Sequence, residues 1–78
     1  MNRKTNGLAI ASLRKALGIP QRTLAARAGI SAAYLSQIEH SERQPPPAVI
    51  RALADELGVA VDAITYPVPE PETEVAAS

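Results

Sequence analysis

The 78-residue chain contains no cysteine, tryptophan or phenylalanine, two tyrosines and a single histidine. Without cysteine there can be no disulfide, thiol nucleophile, iron–sulfur cluster or thiolate-bound zinc. His40 has no second histidine with which to share a metal, so neither a metal nor any other cofactor is expected. No run of 18 apolar residues is present to form a membrane-spanning helix. The polar, basic residues 1–5 do not lead into an apolar signal-peptide stretch, and a cytoplasmic location is expected. Length is the other shortage. Below roughly 80 residues an apolar core stabilises a chain only marginally, which leaves no room for a deep substrate cavity. Ser31, Ser36 and His40 lack any nucleophile-elbow motif. Asp55 and Glu56 are adjacent, hence about 100° apart on a helix, and do not converge as a carboxylate pair. The chain is not expected to be an enzyme.

What the chain has is alanine, fifteen residues of it, beside eighteen valines, leucines and isoleucines. That mixture favours closely packed helices over sheet. The equal totals of eight Lys plus Arg and eight Asp plus Glu conceal a division. Residues 1–43 hold seven cations against two anions, whereas residues 44–78 hold Arg51 against six carboxylates. An N-terminal half with a positive surplus is suited to meeting a polyanion.

Apolar periodicity divides the chain into five short helical segments. Asn6 caps a first helix over residues 7–17, where Ile10, Leu13 and Leu17 recur at spacings of three and four and Gly18 supplies a left-handed stop. Pro20 opens a second helix over residues 21–28, closed by Gly29. Ser31 caps a third, which runs to about His40 with Leu35 and Ile38 at helical spacing. After Pro45, Pro46 and Pro47, a fourth stripe of Val49, Ile50, Leu53, Ala54 and Leu57 ends at Gly58. Val59, Val61 and Ile64 fit one more short helical turn before Pro67. The expected domain is residues 1–66. Residues 67–78 alternate Pro with Glu and read as a flexible acidic tail.

The second and third segments form a corner. Two short helices that cross steeply need a small side chain where their axes approach, here Ala25, and a residue tolerant of left-handed backbone at the turn, here Gly29. Leu24, Ala28, Ile30, Leu35 and Ile38 then face inward. The outward face of the third helix is left with Ala32, Ala33, Ser36 and Gln37, small and polar enough to enter a DNA major groove about 12 Å wide. This is a helix-turn-helix pattern.

Residues 13–64 resemble the phage-repressor class of helix-turn-helix regulators, the lambda-repressor-like, Cro/C1 or XRE family. The resemblance is carried by Gln21, Leu24-Ala25, Ala28-Gly29-Ile30-Ser31, Tyr34-Leu35-Ser36-Gln37-Ile38-Glu39, Arg43, Pro45 and Leu57-Gly58-Val59 leading to Asp62 and Ile64. It implies an all-α, five-helix domain in which the third helix reads base edges and two copies address a two-fold symmetric operator. It further implies that Gln37, Ala32, Ala33 and Ser36 face the bases, Gln37 being suited to a bidentate contact with adenine. Gln21, Arg22, Ser31, His40 and Arg43 are then expected at the DNA backbone, with Arg27 extending the positive rim. Arg14 and Glu39 match a structural ion pair between the first and third helices. The implied function is sequence-specific binding of double-stranded DNA by a homodimeric transcription regulator, a repressor by expectation. Val61, Ile64 and Tyr66 are the candidate dimer surface. The alternative is an antitoxin-like or accessory module whose acidic tail captures a protein partner.

The sequence departs from the family pattern at four places. Ala32 and Ala33 stand where polar side chains are usual, which shifts readout toward thymine methyl contacts, DNA shape and phosphate charge. Pro20 replaces a usual Ser or Thr cap. Ser41 replaces a usual Gly after the third helix, so an unfavourable backbone is expected on a residue with a Cβ.

Overall fold

The computed structural model describes residues 2–69. In chain order it holds β1 (Asn2–Thr5), α1 (Gly7–Ala16), α2 (Gln21–Ala28), α3 (Ala32–Glu39), α4 (Pro47–Leu57), a 3-10 turn (Val61–Ile64) and β2 (Thr65–Val68). Each helix begins and ends for a local reason. The Asn6 side chain accepts from Ala9 N at 3.1 Å and Ser31 Oγ from Tyr34 N at 3.0 Å, capping α1 and α3. Pro20 and Pro46 precede α2 and α4 without a side-chain cap, and Pro47 occupies the first turn of α4, where its missing N–H has no intrahelical partner to lose. Gly29 and Gly58 close α2 and α4 in the left-handed region, at φ of 77° and 72°.

Four helices surround one apolar cluster: Ile10 from α1, Leu24 and Ala25 from α2, Leu35 and Ile38 from α3, Leu53, Ala54 and Leu57 from α4, and Ile64 from the 3-10 turn. α2 packs on α3 and α4, and α1 packs on α3. Ala25 is buried where α2 and α3 approach, as the corner pattern requires.

The C-terminal part corrects the sequence reading in three respects. The fifth helix is a single 3-10 turn of four residues, and the fold is four helices with a two-stranded sheet rather than five helices. Ile64 is fully buried in the core, so it is withdrawn from the candidate dimer surface; Tyr66 is exposed. Pro67 and Val68, assigned to the tail, belong to β2, which runs antiparallel to β1 with Lys4 opposite Tyr66 and Arg3 opposite Pro67. Residues 70–78, the rest of the expected acidic tail, lie outside the described residues.

Pro67 fits the sheet for a geometric reason. Asn6 N donates to Ile64 O at 2.8 Å just beyond the strands, so alternation puts Tyr66 and Val68 at the hydrogen-bonded positions of β2. Thr65 and Pro67 turn their backbone nitrogens away from β1, and the missing N–H of Pro67 costs no ladder bond. The two ends of the described segment are thereby clasped. Arg3 reinforces the clasp: its Nε donates to Thr65 Oγ1 at 2.8 Å, and its Nη2 lies 3.7 Å from Asp62 Oδ1.

Candidate nucleic-acid interface

α3 divides sharply between two environments. Leu35, Ile38 and Glu39 are buried, while Ala33 is exposed and Ser36 and Gln37 are half-buried. With exposed His40 at the helix end, Ala33, Ser36, Gln37 and His40 form one outward stripe at spacings of three and four. Ala32 stands at the margin of this stripe, half-buried and packed against the core cluster. The stripe is narrow and short-sided, and Gln37 is its longest uncharged polar side chain. His40 folds back along the helix, Nδ1 lying 2.7 Å from Ser36 O, which leaves Nε2 as the ring atom directed away from α3.

The carboxylate of α3 is removed from that face. Arg14 Nε donates to Glu39 Oε2 at 2.7 Å and Arg14 Nη2 to Glu39 Oε1 at 3.2 Å. The two side chains are 11% and 4% exposed, and Arg14 Nη1 also donates to Ile19 O at 3.1 Å. Gln21 Nε2 adds a donor to Glu39 Oε1 at 3.0 Å. Three helices, α1, α2 and α3, thus converge on one carboxylate. The Gln21 amide is committed to bracing α3 through that nitrogen, and its carbonyl oxygen remains an acceptor. Arg22 and Arg27 on α2 and Arg43 after α3 are all exposed. With Glu39 buried, the exposed charges between residues 21 and 43 are Arg22, Arg27 and Arg43 against Glu42.

Ser31 lies exposed at the entrance of α3, its oxygen engaged by the Tyr34 N–H and its own hydrogen free to donate. At the other end of the helix the backbone reverses through Ser41, a non-glycine residue at φ 62° in the left-handed region. Ser41 N donates to Ile38 O at 3.0 Å and Glu42 N to Gln37 O at 2.8 Å, closing the helix. The strained backbone expected at this position is present. The loop that follows presents Arg43 and ends on buried Pro45.

The candidate residues lie on two consecutive helices and the segment after them: Gln21 and Arg22 at the start of α2, Ser31 at the start of α3, the stripe on α3, and His40 and Arg43 after it. Two contributors escaped the sequence reading. Gly7 is buried where α1 meets the end of α3; a Cβ there would overlap Ile38 O and lie 2.7 Å from Glu39 O. Gln44 Oε1 accepts from Thr5 N at 3.0 Å, joining the loop to β1 across 39 positions of sequence. Neither left a signal in residue periodicity, because both act on backbone.

Residues 10–64 match the helix-turn-helix family HTH_3. The chain is 37% identical over 68 residues to an uncharacterized HTH-type transcriptional regulator, y4dJ, of Sinorhizobium fredii, a match covering 87% of this chain and 88% of that protein. It is 41% identical over 59 residues to a propionyl-CoA carboxylase regulator of Cereibacter sphaeroides; the match covers 76% of this chain and spans 13% of that longer protein. Among solved structures, the P22 c2 repressor in complex with synthetic operator 9T superposes with a TM-score of 0.71 at 34% identity, covering 76% of this chain and 89% of that one.

Proposed function

The chain belongs to the HTH_3 helix-turn-helix family, and on that premise we propose that it is a sequence-specific regulator of transcription that inserts α3 into the major groove of double-stranded DNA. The observation that carries this reading is the outward stripe of Ala33, Ser36, Gln37 and His40, rimmed by exposed Arg22, Arg27 and Arg43, on a helix whose one carboxylate is buried. The P22 c2 repressor, similar in fold and sequence, is seen with a synthetic operator, which supports binding of double-stranded DNA here.

The roles divide by chemistry. Arg22, Arg43 and Ser31 donate to phosphate oxygens and fix the pose, with the His40 ring lining the same edge at the end of α3; Gln21 braces α3 through Glu39 and keeps the second hydrogen of its Nε2 for a phosphate. Gln37 reads base edges, with adenine N7 and N6 its best-matched partner, and Ala33 supplies an apolar contact for a thymine methyl. Ser36 is short enough to contact either kind of base pair. Ala32, at the margin, adds surface more than discrimination. The protein acts as a homodimer on an inverted repeat, and as a repressor by occupying its operator.

The first test is fluorescence anisotropy of the full chain with a mixed-sequence duplex across a salt series. The reading expects the logarithm of the binding constant to fall linearly with that of salt, by about 0.9 per phosphate contact. Absence of binding at low salt would refute it.

A further inference from the structure

The loop that carries Arg43 is tied to the strand pair formed by β1 and β2. Its first half is anchored to α3 through Ser41 and Glu42, whose N–H groups donate to Ile38 O and Gln37 O. Its second half is held by the Gln44 side chain, which accepts the Thr5 N–H at 3.0 Å. That N–H is available because alternation along β1 turns Thr5 N away from β2 and toward the loop. β1 is itself fixed by pairing with β2, by Arg3 on Thr65 and Asp62, and by the seating of Gly7 against the last carbonyls of α3. The end of α3 and the loop after it therefore rest on a strut built from residues 2–7 and 65–68.

Arg43 is exposed and long, with no intrinsic reason to hold one pose. Gln44, its neighbour, is exposed too, yet its side chain is spent on a backbone donor 39 positions away. A side chain so committed does not extend the basic rim; it fixes where the rim residue before it leaves the loop. We propose that Gln44 is a positioning residue for DNA binding. Through its bond to Thr5, it holds the loop so that Arg43 meets a phosphate, and the terminal strand pair is the support that makes this possible. This inference rests on the DNA-binding reading above.

A double-mutant cycle tests it. Gln44→Ala, Arg43→Ala and the double variant are titrated with one duplex at several salt concentrations, with circular dichroism confirming that each is folded at the assay temperature. Gln44→Ala is expected to weaken binding roughly tenfold and to lower the salt slope by about one per bound protomer, as the loss of a single phosphate contact in each does. In the Arg43→Ala background it is expected to do nothing further, since its effect passes through Arg43. A loss of global stability would not lower the salt slope by one contact. Backbone order parameters supply a readout free of DNA: residues 41–44 should fall from near 0.85 in the wild type to below about 0.6 in Gln44→Ala. Equal losses in both backgrounds would make Gln44 a contact in its own right and overturn the proposal, as would unchanged affinity with an unchanged loop. Wild-type protein that binds no duplex would instead overturn the DNA reading, and this inference with it.

Discussion

Arg14 and Glu39, 25 positions apart, form a two-point bridge between α1 and α3, with nitrogen–oxygen distances of 2.7 and 3.2 Å. The pair draws the carboxylate of α3 inward and leaves the outward stripe free of negative charge. Breaking it would strand a buried charge. Glu39→Ala is expected to destabilise the fold by about 3 kcal/mol, since removal of one partner of a buried pair costs that much. Replacing both Arg14 and Glu39 with leucine should recover part of the loss. Urea midpoints measure both. A loss below about 1 kcal/mol for the single variant, the range of exposed pairs, would mean that the bridge is not sheltered as described.

Gly7 sets two effects against each other. Alanine is the better helix former by about 1 kcal/mol, which on propensity alone predicts that Gly7→Ala stabilises α1. The added methyl would overlap Ile38 O and crowd Glu39 O, and these are backbone atoms that cannot swing aside. Overlap should win. A net loss of about 2 kcal/mol is expected by thermal or urea unfolding, whereas a neutral or stabilising result would show that α1 and α3 are not in such close contact.

The corner from α2 to α3 was legible because its constraints are local. Ala25, Gly29 and the inward Leu24, Leu35 and Ile38 each answer a geometric need within 18 positions, and the helix limits follow from Pro20, Gly29 and Ser31. The terminal sheet was not legible. Asn2, Arg3, Lys4 and Thr5 show no apolar alternation, their partners lie about 60 positions away, and Pro67 reads as a terminator when its N–H is in fact not needed by the ladder. The four residues from Val61 to Ile64 are too few for periodicity to separate an α-helical from a 3-10 turn. On α3, the division between buried Leu35 and Ile38 and outward Ala33, Ser36 and Gln37 could be read from spacing. The bond from Thr5 N to Gln44 could not, since nothing about a backbone donor is written in residue type.

Ser41 holds a backbone that glycine would adopt without strain. A left-handed conformation costs a residue with a Cβ about 1–2 kcal/mol, partly offset by the greater freedom glycine has when unfolded. Ser41→Gly is therefore expected to stabilise the protein by about 0.5–1 kcal/mol, and Ser41→Val, branched at Cβ, to destabilise it. Thermal unfolding of the two variants checks the order. If glycine proved worse than serine, the Ser41 hydroxyl would be contributing more than the strain removes.

The central claim, that the stripe on α3 reads DNA sequence, is tested most directly by selection. A pool of randomised duplexes is incubated with the wild type and with Gln37→Ala at physiological salt, and bound DNA is sequenced over several rounds. The account predicts that the wild type enriches an inverted repeat with half-sites about 10 bp apart, or a multiple of that spacing. It also predicts that Gln37→Ala loses preference at one position of each half-site, worth about 1–3 kcal/mol against the wrong base, while the rest of the motif survives. Enrichment of the same motif with the same preference at every position by both proteins would contradict the placement of the reading face, and flat enrichment by the wild type would contradict sequence-specific recognition altogether.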